Sequence, residues 1–130
     1  LFNEKNNGET ILKLIDKNLI KAAHDVSLGG IITALSKMCI KGKKGAILKK
    51  PNYLINKFEY LFGEDQGRYI IEIDKDNLQD VVKILSANSV HFDELGTINN
   101  DYLIIDDESK VSIDDLIKSH TTWLINYISK

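Results

Sequence analysis

Arg68-Tyr69-Ile70-Ile71-Glu72-Ile73-Asp74 runs into a segment in which Leu78, Val81, Val82 and Leu85 recur at helical spacing. The first stretch is short, rich in β-branched residues, and alternates well enough for a strand. The second sets its apolar residues on one stripe, the mark of a helix with a single buried face. Asp74 or Asp76 stands where a helix cap is expected. A strand passing directly into an amphipathic helix selects a mixed α/β architecture over an all-helical or all-strand one.

The pattern extends in both directions. Downstream, strands are expected over residues 91–98 and 102–106, flanking Asn99-Asn100 as a hairpin turn. Ser112, with Asp115 three residues on, resembles a capping box and opens a last helix. The apolar face of that helix is Ile113, Leu116, Ile117, Leu124, Tyr127 and Ile128, and Trp123 and Tyr127 are spaced for packing on the sheet.

Upstream, Ile11, Leu12, Ile15 and Leu19 predict a helix over 9–19, and a brief strand follows over 20–25. Ser27-Leu28-Gly29-Gly30 breaks it. A second helix carries Ile31, Leu35, Met38 and Cys39 on one face and is ended by Gly42 and Gly45. A strand at 46–48 is stopped by Pro51, and an apolar patch covers 58–62. Residues 1–8 read as a tail or linker and 9–130 as one domain. The order is α-β-α-β, then β-α-β-β-α. We expect an α+β fold: a mixed sheet covered by helices, with a right-handed crossover and a βαββα half resembling ferredoxin-like topology.

Composition narrows the function classes. The 130 residues are 43% hydrophobic and 28% charged, an ordinary globular balance. A net charge of −2 leaves no electrostatic footprint for nucleic acid or an anionic membrane. One cysteine, Cys39, excludes an internal disulfide and a multi-cysteine zinc site, and its place on an apolar helix face suits an inert core thiol. No apolar run approaches the roughly 18 residues that span a bilayer. A cytoplasmic protein is expected. The opening Leu1-Phe2 suggests a piece of something longer. Sixteen Lys against a single Arg, with heavy use of Ile and Asn, fits an AT-rich genome.

Two segments carry candidate chemistry. In Ala22-Ala23-His24-Asp25-Val26-Ser27-Leu28-Gly29-Gly30, a strand, three polar residues and two glycines precede a helix start. The first N–H groups of a helix lack internal partners and lie at the positive end of its dipole, so phosphate or carboxylate is favoured there. The glycines permit close approach to the backbone. His24 could donate a hydrogen bond or a proton, and Asp25 could hold the imidazole or a metal ion. A plainer structural reading makes Ser27 a cap and the glycines a tight turn.

The second segment, Gly63-Glu64-Asp65-Gln66-Gly67-Arg68, gathers two carboxylates, an amide and the only arginine. In a chain that otherwise uses Lys, Arg suggests a need for the planar, bidentate guanidinium. The plainer reading is a solvated turn with a local Arg–carboxylate pair. Gly42-Lys43-Lys44-Gly45 lacks the spacing of a phosphate-binding P-loop. His91 and His120 stand without metal-ligand partners at useful spacing. Asp106-Asp107-Glu108 reads as a solvated turn. No nucleophile or catalytic base is assigned, and no metal ligand.

Taken together, His24-Asp25-Val26-Ser27-Leu28-Gly29-Gly30 and Phe62-Gly63-Glu64-Asp65-Gln66-Gly67-Arg68-Tyr69 resemble the C-terminal domain of the superfamily named for aminoimidazole ribonucleotide synthetase. Within it they are most similar to the phosphoribosylformylglycinamidine synthase family. Leu95-Gly96-Thr97-Ile98 and His120-Thr121-Thr122-Trp123-Leu124 fit the later family pattern, and the resemblance covers about residues 9–130. Ending soon after Trp123 suggests the small form, without a fused glutaminase domain. Leu28 departs from the pattern, which has Asp between Ser and Gly-Gly.

The resemblance implies a fragment of an ATP- and Mg2+-dependent ligase of purine biosynthesis, inactive when isolated. The parent would convert formylglycinamide ribonucleotide and glutamine-derived ammonia to formylglycinamidine ribonucleotide, ADP and phosphate. Its partners would be the N-terminal-type domains of the same enzyme, a glutaminase subunit and a small accessory subunit. The expected ligand-binding residues are His24, Asp25, Ser27, Gly29, Gly30, Glu64, Asp65, Gln66, Gly67 and Arg68. The alternatives are the equivalent domain of another superfamily member, or a non-catalytic assembly module that holds a nucleotide or nothing.

Overall fold

A computed structural model describes residues 2–49, 56–105 and 109–129. Pro51 and the Asp106-Asp107-Glu108 run lie outside the described residues. The elements are α1 (Phe2–Asp16), β1 (Ala22–Asp25), α2 (Gly30–Gly42), β2 (Gly45–Leu48), α3 (Lys57–Phe62), β3 (Tyr69–Glu72), α4 (Leu78–Ala87), β4 (Gly96–Asn99), β5 (Tyr102–Ile105), β6 (Ser109–Ser112) and α5 (Ile113–Ile128). The α+β class is as expected. The chain divides into two compact units, Leu1–Leu35 with Asn56–Asp93 and Ser36–Ile55 with Glu94–Lys130.

In the first unit β1 and β3 form an antiparallel pair, with Ala22 opposite Glu72 and Asp25 opposite Tyr69. Its core is Leu14, Val81 and Leu85, ringed by Ile11, Leu19, Ile20, Ile71, Ile73, Ile84 and Val90. Burying each Leu or Val side chain in such a cluster contributes about 1.5–3 kcal/mol. Thr10 is also fully buried, and its hydroxyl is satisfied by donating to the Asn6 carbonyl at 2.8 Å. α1 begins at Phe2, so residues 2–8 are its first half and not the expected tail.

The second unit holds a four-stranded sheet in the order β4-β2-β5-β6. It is mixed: β2 runs parallel to β5 and antiparallel to β4, and β6 is antiparallel to β5. The hairpin expected at Asn99-Asn100 is therefore not one of paired strands, because β2 lies between β4 and β5. The turn is real, with the Asp101 amide donating to the Asn99 side chain at 3.0 Å, but it carries the chain around the end of β2. Close passage there requires glycine: a Cβ on Gly45 would collide with the Tyr102 carbonyl. The strand expected over 91–98 is confined to Gly96–Asn99. The expected βαβ crossover does not link strands of one sheet, since β3 pairs with β1 and β4 with β2.

Helix ends follow a shared device. α1, α2 and α4 each end with a non-glycine residue in the left-handed region, Asn18, Lys43 and Ser89. The next amides, of Leu19, Lys44 and Val90, reach back to the carbonyls of Leu14, Cys39 and Leu85. This is the Schellman arrangement, which satisfies otherwise orphaned carbonyls. Gly42, expected to terminate α2, is its last helical residue, and Lys43 takes the strained position.

The Ser112 cap of α5 is as read, its hydroxyl oxygen accepting from the Asp115 amide at 3.0 Å. Asp74, by contrast, makes no side-chain cap bond. It pairs with Lys21 at 2.9 Å. Only Ile113 of α5 is buried; Trp123, Leu124, Ile125, Tyr127 and Ile128 are exposed, so the expected packing of Trp123, Leu124, Tyr127 and Ile128 is not found among the described residues. Cys39 is buried on α2, as its position suggested. Among the described residues no helix is long and apolar enough to cross a membrane.

Candidate functional site

All ten expected site residues fall in the first unit, where strand pairing explains their proximity. β1 and β3 are antiparallel, so the end of β1 lies beside the start of β3. The Val26 amide extends the pairing by donating to the Arg68 carbonyl at 2.9 Å. The loop leaving β1 and the turn entering β3 therefore emerge side by side.

The loop is shaped by two glycines with positive φ, Gly29 at 81° and Gly30 at 69°. The Gly30 amide closes a turn on the Ser27 carbonyl at 2.9 Å. A Cβ on Gly30 would sit 2.6 Å from the Leu61 carbonyl oxygen, at the end of α3. Glycine is thus required twice over, by conformation and by the closeness of a second backbone. Ser27 and Leu28 project into solvent, Leu28 being 79% exposed.

The two segments meet at a single bond. The Gly29 amide donates to Glu64 Oε1 at 2.7 Å. A carboxylate thus sits at the start of α2, where unpartnered N–H groups and the helix dipole favour negative charge.

Arg68 braces its own turn. Its Nη2 donates to the Gly63 carbonyl, its Nε to the Asp65 carbonyl at 3.3 Å, and its guanidinium pairs with the Asp65 carboxylate at 3.4 Å. The local Arg–carboxylate pair of the plainer reading is present, and it also binds backbone. Lys, a point charge without the fork, could not hold both carbonyls in this way.

His24 is half-buried, with Nδ1 2.6 Å from the Asp25 carbonyl and 3.5 Å from the Asp25 carboxylate. A carbonyl only accepts, so the proton of that bond is carried by Nδ1. Asp25, Glu64, Asp65 and Gln66 are exposed.

The sequence reading missed the contribution of α1. Asn7 Nδ2 donates to the Gly67 carbonyl at 2.9 Å. A Cβ on Gly67 would lie 3.1 Å from the Glu4 Cα, so the turn rests on the first turns of α1. Asn6-Asn7-Gly8 is poor helix sequence, and no local signal marks it as part of a site.

The Gly29 amide and the Arg68 guanidinium are engaged within the protein, the first by Glu64 and the second by its own turn, and no nucleophile among the site residues is paired with a base. Among the described residues no group of three or more His, Cys, Asp or Glu is gathered to hold a metal ion. The donor set does not fit a resident divalent cation.

Residues 1–106 match the family model described as AIR synthase related protein, C-terminal domain. The chain belongs to this family. Among members of the AIR synthase related family, it is 81% identical over 128 residues to the phosphoribosylformylglycinamidine synthase subunit PurL of Pelagibacter ubique, covering 98% of this chain and 18% of that protein. PurL of Bartonella bacilliformis is 38% identical over 125 residues, covering 96% of this chain and 17% of that one. The chain thus spans less than a fifth of the length of these relatives. PurL of Thermotoga maritima complexed with FGAR has the same fold, with a TM-score of 0.73 at 21% identity over 88% of this chain and 21% of that one. The PurLQS structure from Thermotoga maritima matches equally, with a TM-score of 0.73, 21% identity and the same coverage of 88% and 21%.

Proposed function

We propose that this chain is the C-terminal domain of a PurL-type phosphoribosylformylglycinamidine synthase, small form, in which 9–130 with the helical residues before them make the domain. The 81% identity to a PurL over nearly the whole chain carries this reading. The parent reaction joins formylglycinamide ribonucleotide, ATP and ammonia. The formamide oxygen attacks the γ-phosphorus and ADP leaves; ammonia then adds at the activated carbon and phosphate leaves, giving the amidine.

This domain's part is binding. The loop of His24, Asp25, Ser27, Gly29 and Gly30 and the turn of Glu64, Asp65, Gln66, Gly67 and Arg68 form one ligand site. The α2 start favours an anionic group, and Glu64, bound to the Gly29 amide, holds the loop in shape for it. Arg68 keeps the turn in shape, and His24 stands at the end of β1 beside the loop. Relatives of the same fold are described as complexes with ATP, ADP and FGAR, which supports these ligand classes. Magnesium would be held by the rest of the protein, and no step on this chain passes through it.

The partners would be the other domains of the same polypeptide, a glutaminase subunit and a small accessory subunit, in the cytoplasm. The exposed Trp123, Leu124, Ile125, Tyr127 and Ile128 of α5 fit a chain that packs on further protein.

The test is ammonia-dependent ADP release from ATP and formylglycinamide ribonucleotide by the full natural polypeptide carrying this sequence. Activity is expected, with Arg68→Lys loosening the turn and so raising the KM of one ligand about tenfold at little change in kcat. No substrate-dependent ADP release would refute the reaction. Activity with unchanged KM values would remove the two segments from the binding site.

A further inference from the structure

Residues 6–8 of α1 are locally ill-suited to a helix. Asn is a poor helix former and Gly a worse one, so three in a row are maintained by tertiary contacts. Each has a different one. Asn6 Nδ2 donates to the Asn88 carbonyl at 2.7 Å, at the end of α4. Asn7 Nδ2 donates to the Gly67 carbonyl at 2.9 Å. A Cβ on Gly8 would lie 3.3 Å from the Tyr69 hydroxyl. Successive helix positions lie about 100° apart, so Asn6 and Asn7 serve different neighbours by geometry.

The Asn7 contact has reach. The turn it holds is internally braced, since Arg68 binds the Gly63 and Asp65 carbonyls and pairs with the Asp65 carboxylate. A braced turn moves as a unit, and at its far side Glu64 meets the Gly29 amide at 2.7 Å. Fixing Gly67 therefore fixes where the Glu64 carboxylate stands.

We propose that Asn7 is a positioning residue for the ligand site: by holding the Gly67 carbonyl it sets the turn that carries Glu64 to the Gly29 amide. Asn7 itself touches no ligand. The proposal rests on the reading of the two segments as one ligand site, and it extends that site to a helix with no part in either segment.

Asn7→Ala is the direct test, because Ala favours the helix and leaves only the contact missing. Asn6→Ala is its comparator, losing an equivalent bond to another loop. Hydrogen-exchange mass spectrometry on the full natural polypeptide reads the peptides around Gly29 and around Asn88. Asn7→Ala is expected to speed exchange at Gly29 about threefold to tenfold, the size of one net hydrogen bond, and to raise ligand KM similarly with kcat unchanged. Asn6→Ala should speed exchange near Asn88 and leave Gly29 and KM alone.

Should Asn7→Ala fail to fold, Asn7→Asp removes the donor in the same volume and is read in the same way. Gly29 exchange within about twofold of wild type in a folded Asn7 variant would overturn the proposal. So would an equal effect of Asn6→Ala at Gly29. Failure of the ligand reading registers elsewhere, as unchanged KM in Arg68→Lys, while the exchange at Gly29 still decides on Asn7.

Discussion

The Gly29 amide and the Glu64 carboxylate are joined at 2.7 Å across 35 residues of chain. That bond satisfies one orphan donor of α2 and places negative charge at the positive end of its dipole. Both groups lie near solvent, so the bond is worth far less than a buried one.

Glu64→Ala removes acceptor and charge together and is expected to cost about 0.5–1.5 kcal/mol, whereas Glu64→Gln keeps an oxygen and should cost about half as much. Urea unfolding of the two variants measures the difference. Equal costs would assign the effect to the charge alone.

Gly30 and Gly29 should differ in their tolerance of a methyl group. Ala at either position must adopt a left-handed backbone, at about 1–2 kcal/mol. At Gly30 the new Cβ also meets backbone, 2.6 Å from the Leu61 oxygen, which cannot step aside. At Gly29 it meets the Thr33 side chain, whose Cβ lies 2.9 Å away. We expect Gly30→Ala to cost about 3 kcal/mol or more and Gly29→Ala clearly less. Denaturant midpoints that rank them the other way would contradict the geometry.

Ser89 holds the left-handed position after α4 without being glycine, at φ 54°. Ser89→Gly should relieve that strain and stabilise the protein by about 0.5–1 kcal/mol, net of the added freedom of the unfolded chain. The melting temperature is the readout, and a decrease would show that Ser89 is not strained.

The pattern around 68–85 was legible because its evidence is local: alternating Ile residues, then a stripe of Leu and Val. The Ser112 cap was equally plain. What failed was everything settled at a distance. Asn99-Asn100 correctly marked a turn, but no local pattern says that a third strand lies between those it connects. Gly42 looked like a stop, yet Lys43 takes the left-handed role. Asn6-Asn7-Gly8 looked like a tail because the bonds that hold it helical reach Asn88 and Gly67. For the site, the residue types of both segments were apparent, and the sequence could not reveal which donor meets which acceptor. Arg68 stood out by rarity, but the carbonyls it braces are visible only in the folded turn.

Lys21 supplies a pH dependence. Its hydrogen bond to Asp74, and then the charge of that carboxylate, raise its pKa above the ordinary 10.5. The charged form is therefore favoured by folding, and its contribution is complete below 10.5 and lost as pH rises through the higher folded value. Lys21→Met should lower the melting temperature slightly at neutral pH, the pair being exposed, and the gap should close in strong alkali. A gap that persists there would exclude the ion pair as its source.

Strand β2 has a further consequence, in time rather than in space. Its parallel partner is β5, with Ala46 opposite Leu103, roughly 60 residues further along. At about 5–20 residues per second, a ribosome emits β2 some 3–12 seconds before β5 exists. During that interval the central strand of the sheet has neither neighbour, since β4 is also made late. Its four residues, Gly45-Ala46-Ile47-Leu48, are apolar and uncharged. Synthesis of this chain therefore includes a window in which its sheet centre is an open template, and sheltering it falls to whatever protein surrounds the nascent chain.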